Sequence, residues 1–476
     1  MHKWILLCVR FFEYGIFFYC MGILLSYLVM GIVSARAVMR YRRERDLTDF
    51  NELLSSPLLP TLTIIAPAYN ESMTIVDNIR SLMSLHYGEL TIIIVNDGSK
   101  DDTLQKAITA YDLVQDTAYP YVATLETKPV RGVYRSRNPA FRKLRVVDKQ
   151  NGGKADAINV GINLAESDYF ACIDVDCIIE ADAFLKMVKP ILQAPPKVRV
   201  VAVGGIVWLT NDSVIEGGRL TQLKTPDTFI ARIQVIEYFR AFLLGRTAWA
   251  EIDGLLLISG AFGIFDRQLT VEIGGYNHKT VGEDMELVMR MHKTLRLRGE
   301  KYKVAYIPEP LCWTEAPSDY AVLGRQRHRW TRGTLECLLM YKTMFFNPKY
   351  GVLGMVSYPY WFFAEWLAPF AEAGGLIFFG ILCVLGLVNW QFFWAMLALV
   401  YAFAILVSVL SIYVQELSYS RYEQRRDIWK LLLTVLIEPF VYHPRTVYWS
   451  LKGNLDWMRG KNVGWGNMTR AGFAKK

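Results

Sequence analysis

The sequence predicts an α/β domain set between transmembrane helices, and three observations predict it. Apolar residues concentrate near the N-terminus and again from Tyr358 onward, with a mixed-charge block between them. Within that block, short β-branched runs alternate with stretches of helical length. Acidic and glycine-containing turns follow several of the runs. Strands alternating with helices imply a mainly parallel sheet covered on both faces, and such sheets take ligands at the carboxyl ends of their strands. The chain is 53% hydrophobic and 21% charged, more apolar than a water-soluble protein, and its 476 residues are enough for about two or three domains.

The first element is a membrane anchor. Residues 14–33 carry no charge. At a rise of about 1.5 Å per residue they cross the roughly 30 Å of a bilayer's hydrocarbon. A cleaved signal peptide has a shorter apolar region and a small-residue cleavage site, so this one is retained, within residues 1–45. Arg36, Arg40, Arg42, Arg43 and Arg45 follow it. That cluster puts this side in the cytoplasm and the N-terminus outside.

Residues 46–60 read as a linker. Strands are then expected at 62–66, 91–95, 145–147, 169–173 and 198–203, and helices at 74–84, 102–111, 154–165 and 181–192. Residues 120–143, with several arginines and prolines and no clear period, predict a long loop. Residues 229–244 fit a helix, either on the membrane surface or within the domain. The domain so defined spans 59–340.

Residues 341–476 return to a membrane pattern with a basic cytoplasmic tail. The aromatic stretch 358–372, interrupted by Glu365, Pro369 and Glu372, suits an interfacial segment. Residues 373–388 and 392–414 are spans, joined by the polar external turn 389–391. Arg421, Arg425 and Arg426 mark the cytoplasmic return. Residues 431–441 are short, contain Glu438 and Pro439, and are basic on both flanks. They predict a re-entrant or interfacial hairpin. The count is about three spans, with a fourth possible.

The net charge of +8 admits nucleic acid, anionic lipid or a phosphorylated substrate. No zinc-finger spacing, RNA-binding signature or lysine-rich arm is present. The basic residues flank apolar segments instead, which excludes nucleic acid and points to membrane lipids. The seven cysteines include no Cys-x-x-Cys pair and are irregularly spaced. That pattern fits a reduced compartment rather than a disulfide framework.

The residues just past the strands carry the chemistry. The first strand runs into Pro67-Ala68-Tyr69-Asn70-Glu71 and the second into Asn96-Asp97-Gly98-Ser99. Asp97 either accepts a hydrogen bond from a base or ribose in the crevice, or closes an Asx turn. The strand at 169–173 ends in Asp174-Val175-Asp176, two carboxylates able to share Mg²⁺ or Mn²⁺. Gly152-Gly153-Lys154 opens a helix, where backbone N–H groups and the lysine can meet phosphate. It lacks the spacing of a P-loop. Glu283-Asp284 opens another helix. The pair either complements the helix dipole or supplies, in Asp284, a general base for an acceptor hydroxyl. In Gln326-Arg327-His328-Arg329-Trp330, Arg329 can clamp a diphosphate and Trp330 can stack on a sugar ring. A basic amphipathic helix on a membrane has the same composition.

In their order and joint presence, Asp97, Asp174-Val175-Asp176, Glu283-Asp284 and Gln326-Arg327-His328-Arg329-Trp330 resemble the processive, membrane-bound family-2 glycosyltransferases. These are the cellulose, chitin, hyaluronan and poly-N-acetylglucosamine synthases. The resemblance covers residues 62–330. It implies a GT-A-type fold, a Rossmann-like mixed sheet, carrying α-helical transmembrane segments. It implies a donor-nucleotide site with Ala68, Asn70, Glu71, Asp97, Lys154 and Asp174, and a metal, Mg²⁺ or Mn²⁺, on Asp174 and Asp176. Asp284 becomes the catalytic base. Gln326, Arg329, Trp330, Ser259, Gly260 and Glu283 line the diphosphate and acceptor. Gly282 stands where many members have Thr. Residues 464–468, Gly-Trp-Gly-Asn-Met, resemble the poly-N-acetylglucosamine branch. The implied reaction is inverting transfer from a UDP-sugar to a growing β-linked polysaccharide on the cytoplasmic face of the plasma or inner membrane, with a possible accessory export subunit. The alternatives are transfer of one sugar to a lipid-linked acceptor such as polyprenyl phosphate, and an inactive membrane scaffold.

Overall fold

A computed structural model describes residues 2–117, 121–216, 218–422 and 424–461. The stretch 464–468 lies outside the described residues. The strands, in chain order, are β1 (Leu62–Ala68), β2 (Leu90–Asn96), β3 (Leu113–Gln115), β4 (Val130–Ser136), β5 (Leu144–Lys149), β6 (Tyr169–Ile173), β7 (Ile178–Ile179), β8 (Arg199–Leu209), β9 (Val214–Glu216), β10 (Arg219–Gln222), β11 (Phe262–Asp266) and β12 (Tyr302–Thr314). All but β9 and β10 form one sheet, ordered β3-β4-β5-β2-β1-β6-β11-β8-β12-β7.

Four neighbours, β5-β2-β1-β6, are mutually parallel, and β8 and β12 also pair in parallel. β11 inserts antiparallel between β6 and β8. The sheet is therefore mixed rather than mainly parallel. Side chains of the central strands are apolar on both faces. Ile64, Ala66, Ile92 and Ile94 join one core, and Ile65, Ile93 and Val95 the other. A period of two with both faces buried explains why these strands read as unbroken apolar runs.

Helices Ile75–Met83, Thr103–Tyr111, Lys154–Leu164 and Ala183–Leu192 fall where the periodicity places them. The expected loop at 120–143 is partly strand. β4 pairs with β3 and β5, with only Gly132 and Val133 buried along it. Its arginines face outward to pair with carboxylates, Arg131 with Asp148 and Arg135 with Asp116. A strand near the sheet's edge that uses charge instead of apolar alternation leaves no period to read.

The first helix runs unbroken from His2 to Asp46, so part of the expected linker is helix. Another short helix, Phe50–Leu54, follows. Among the described residues, three helices are long and apolar enough to cross a membrane: Val9–Asp46, Ala368–Leu385 and Trp390–Tyr419. Each exceeds or shifts slightly from its expected apolar run. The aromatic segment before the second contains π-helical turns at Leu353–Ser357 and Trp361–Trp366. Residues 431–441 end a helix, Arg425–Val441, that turns at Tyr442 into a last helix, His443–Met458. Glu438 within it is paired with Arg240 at 2.5 Å.

The base of the first helix is tied into the domain. Ser34 Oγ donates to the Leu243 carbonyl at 2.5 Å. Tyr41 donates to buried Glu309 at 2.9 Å, and Lys186 meets the same carboxylate at 2.8 Å.

Helix Lys154–Leu164 lies so close to β1 that a Cβ on Gly161 would overlap the Ile65 side chain. Gly161→Ala is therefore expected to cost about 1–3 kcal/mol and to lower the melting temperature. Ile65→Val in the same chain removes only the Cδ1 and keeps the two γ carbons that the new Cβ meets first, so it should recover little of the loss. An unchanged melting temperature would contradict this packing.

Candidate active site

Two strand ends build the floor of a crevice. Past β1, Asn70 has a left-handed backbone (φ +57°). It is stitched to the loop after β2: its N–H donates to Ser99 Oγ at 3.0 Å and its Oδ1 accepts from the Lys100 N–H at 2.9 Å. The Glu71 N–H donates to Thr103 Oγ1 at 2.8 Å. Ala68 is buried in the strand itself. These three predicted residues shape the rim.

Asp97 is turned inward. Lys149 Nζ lies 2.6 Å from its Oδ1, which also accepts from the Gly152 N–H at 2.9 Å. Its Oδ2 accepts from the Gly153 N–H at 2.8 Å and from Asn151 at 3.2 Å. Asp97 thus orders the glycine turn that starts helix Lys154–Leu164. Lys149 also meets Asp156 at 2.6 Å and is 0% exposed. A lysine can be buried so fully only when carboxylates offset its desolvation. Sequence reading missed Lys149, because it sits at the end of an apolar strand and looks like an ordinary polar terminus.

Gly260 is the hub of the site. The antiparallel pairing of Phe262 with Ile173 brings residues 259–261 beside the end of β6, and the Asp174 N–H donates to the Ala261 carbonyl at 3.3 Å. Lys154 Nζ bridges Asp174 Oδ1 at 2.5 Å and the Gly260 carbonyl at 2.9 Å. The Gly260 N–H donates to Asp284 Oδ2 at 3.1 Å. A Cβ at this position would lie 3.3 Å from Lys154 Nζ and 3.5 Å from Asp284, so both side chains converge closely on this residue. Ser259 lies beside the hub, and its Oγ accepts from the Ala261 N–H at 3.4 Å.

Ligand atoms of Asp174, Asp176 and Cys177 lie within 4.8 Å of one another. Contact with the Cys312 thiol, and then burial, push the Cys177 thiol well above its ordinary value. It stays protonated, so the carboxylates are the donors available to a hard divalent cation.

Glu283 and Asp284 form the first turn of helix Glu283–Arg298. Asp284 Oδ1 accepts from the Met285 N–H at 2.8 Å. Burial, and next the Asp284 charge, push the Glu283 carboxyl up to about 7. Arg329, on helix Tyr320–Met340, faces the same carboxylates. Burial lowers its pKa, opposed by the charges of Glu283, Asp174 and Asp284. Gln326 Oε1 is buried and has no hydrogen-bond partner among the described residues. Trp330 is 41% exposed at the rim, with the Arg327 guanidinium 4.4 Å from its ring centre.

The two halves of the site meet through glycine. A Cβ on Gly282 would lie 2.9 Å from the Gly333 Cα, and one on Gly333 2.9 Å from the Gly282 Cα. Glu336 Oε2 accepts from Thr280 Oγ1 at 2.8 Å and from the Val281 N–H at 3.1 Å. Gly282 in place of Thr therefore has a packing reason: a β-branched side chain has no room beneath this helix. Glu336 is a second residue that the sequence did not single out.

The structure thus gathers Lys154, Asp174, Gly260, Glu283, Asp284 and Arg329 at one crevice, beside Asp176, in a mixed sheet of the GT-A type. Glycosyl transferase family 2 matches residues 63–215, and glycosyl transferase family group 2 matches residues 169–414, just over half of the chain. The chain belongs to glycosyl transferase family group 2. It is 30% identical over 283 residues to poly-β-1,6-N-acetyl-D-glucosamine synthase of Staphylococcus aureus (strain COL), covering 59% of this chain and 56% of the relative. It is 29% identical over 278 residues to the synthase of the same name from Staphylococcus epidermidis, covering 58% and 55%. The chain spans about half the length of the curated relatives it matches. Among solved structures, the mannosyltransferase PcManGT of Pyrobaculum calidifontis superimposes with a TM-score of 0.47 at 14% identity, over 93% of this chain and 100% of that one. Glucosyl-3-phosphoglycerate synthase of Mycobacterium tuberculosis gives 0.36 at 19% identity, over 61% and 84%.

The raised Glu283 carboxyl has a consequence for stability. Its ordinary value is 4.5 and its folded value about 7. Stability present below the lower value is lost as pH rises towards the upper one. The melting temperature of Glu283→Gln should therefore rise relative to that of the native chain as the buffer moves from about pH 5 to about pH 8. Parallel curves would contradict the raised value.

Proposed function

We propose that the chain is an inverting glycosyltransferase that moves a sugar from a UDP-sugar to the end of a growing β-linked polysaccharide at the membrane. The observation that supports this most is the convergence of Lys154, Asp174, Asp284 and Arg329 around Gly260. It offers a base for one oxygen and cations for another within a single crevice.

Asp284 takes the proton from the acceptor hydroxyl as that oxygen attacks the anomeric carbon. A bond forms from the acceptor oxygen to that carbon, and the bond from the carbon to the diphosphate breaks with its electron pair. Configuration inverts in one displacement, so an α-linked donor gives a β-linked product. Beside Asp284 stands Glu283, its carboxyl raised to about 7 by burial and then by the Asp284 charge. Arg329 and Lys154 stabilise the departing diphosphate. Mg²⁺ or Mn²⁺ held by Asp174 and Asp176 would supply further charge neutralisation there. Asp97 acts at one remove, by holding the Gly152-Gly153 backbone where phosphate meets a helix N-terminus. Gln326 and Trp330 belong to the acceptor side, where a buried acceptor atom and an exposed indole suit a sugar. Ala68, Asn70 and Glu71 frame the nucleotide.

The similarity to poly-β-1,6-N-acetyl-D-glucosamine synthases makes UDP-N-acetylglucosamine the first donor to try. The arginines in the last turns of the first helix support a catalytic domain on the cytoplasmic face, with anionic lipids at its base. The product would leave through the apolar helices, with or without an accessory export subunit.

The test is a donor screen with the full chain in nanodiscs, following UDP release with Mg²⁺ or Mn²⁺. Metal-dependent release from one UDP-sugar, together with a long glycan, is expected. Asp284→Asn should lower the rate at least a hundredfold, within the range for loss of a general base. A product limited to one sugar on a lipid would replace the polymer reading with lipid glycosylation. No release from any donor would leave a scaffold.

A further inference from the structure

The last helix, His443–Met458, lies beyond both family matches, which end at residues 215 and 414. It nevertheless packs along the helix that carries Gln326 to Trp330. A Cβ on Gly324 would lie 2.7 Å from Trp449 Nε1, and one on Gly453 3.0 Å from the His328 carbonyl. Thr331 Oγ1 donates to Ser450 Oγ at 3.2 Å. His328, buried between Arg327 and Arg329, has its Nε2 3.1 Å from Asp456 Oδ2. Lys461 Nζ lies 3.0 Å from the other oxygen of that carboxylate. Hydrogen bonding from Lys461 holds the Asp456 carboxyl below its usual range. Asp456 is therefore ionised and can only accept, so His328 Nε2 carries the proton and donates it.

The contact continues towards the chemistry. Arg332 donates to the Lys461 carbonyl at 2.7 Å and to Glu336 Oε1 at 2.7 Å. Glu336 in turn holds Thr280 and Val281, just before Glu283 and Asp284. On the opposite side, Trp366 Nε1 donates to Asn454 Oδ1 at 2.7 Å, anchoring the last helix to the aromatic segment ahead of the second apolar helix.

We infer that the last helix is a clamp on the active site: through the Asp456–His328 pair it fixes the rotation of the helix that carries Arg329 and Trp330, and so sets where they meet the donor diphosphate and the acceptor. Asp456 and His328 are positioning residues, since neither reaches the crevice. The inference rests on the transferase reading above. It places the effect on the part of the site that Arg329 and Trp330 supply, and leaves the strand-end carboxylates, Asp97 to Asp176, where they are. A small rotation is enough, because a misplacement of about 1 Å can cost on the order of a hundredfold in rate.

The test uses the full chain in nanodiscs with UDP-N-acetylglucosamine and Mn²⁺. It compares native protein, Asp456→Ala and Asp456→Glu, each alone and on an Arg329→Lys background. Asp456→Ala should lower kcat about tenfold with the melting temperature unchanged, and Asp456→Glu should restore most of it. On the Arg329→Lys background Asp456→Ala should cost little more, because both changes act through one contact. Full kcat in Asp456→Ala, additive losses on the Arg329→Lys background, or a fall in melting temperature that parallels the loss of kcat would each overturn the clamp. A native chain that releases no UDP from any donor contradicts the transferase reading instead, and removes the clamp with it.

Discussion

The backbone contact between Gly282 and Gly333 sets the geometry on which the crevice depends. It lets helix Tyr320–Met340 press against the turn that begins helix Glu283–Arg298, and Glu336 then locks the two by accepting from Thr280 and Val281. Cation and carboxylates are brought face to face as a result. Arg329 sits where the charges of Glu283, Asp174 and Asp284 act on it. Side chains any larger at either glycine would separate them. The sheet supplies the other half, with Gly260 joining Lys154 on β6's side to Asp284 on the helix side.

This arrangement explains how a chain with ordinary carboxylates arrives at unequal ones. Glu283 and Asp284 are neighbours in sequence at one helix N-terminus, yet they differ in environment. Glu283 is buried without a hydrogen bond from a neighbouring residue among those described, and rises towards neutrality. Asp284 accepts two backbone N–H groups.

Much of the fold was legible. β1, β2, β5, β6 and β8 are apolar and β-branched, and the helices between them keep a clear period, so sequence alone placed them. β4 was not legible, because Arg131 and Arg135 satisfy it from solvent. The helices long enough to cross a membrane were legible by length and apolarity, whereas the pairing of Glu438 with Arg240 was not, because the two are far apart in sequence. At the site, the acidic pairs stood out by their position past a strand or at a helix start and Arg329 by the Gln326–Trp330 run, and the structure brings the charges of Asp174, Glu283 and Asp284 to bear on Arg329. Lys149, Glu336 and Asp456 were not, since each owes its role to a partner distant in sequence. Asp97 was found for a different reason from the one its contacts give: it holds the glycine turn rather than standing open in the crevice.

In the proposed transfer, the Asp174–Asp176 carboxylates and Arg329 address one diphosphate. The most direct measurement is a cryo-EM map of the full chain in a nanodisc with UDP and Mn²⁺. Diphosphate density between the Asp174–Asp176 pair and Arg329, with the base over the ends of β1 and β2, is the predicted result. Nucleotide bound elsewhere, or bound at the strand ends with Arg329 turned away from its phosphates, would contradict a single shared site.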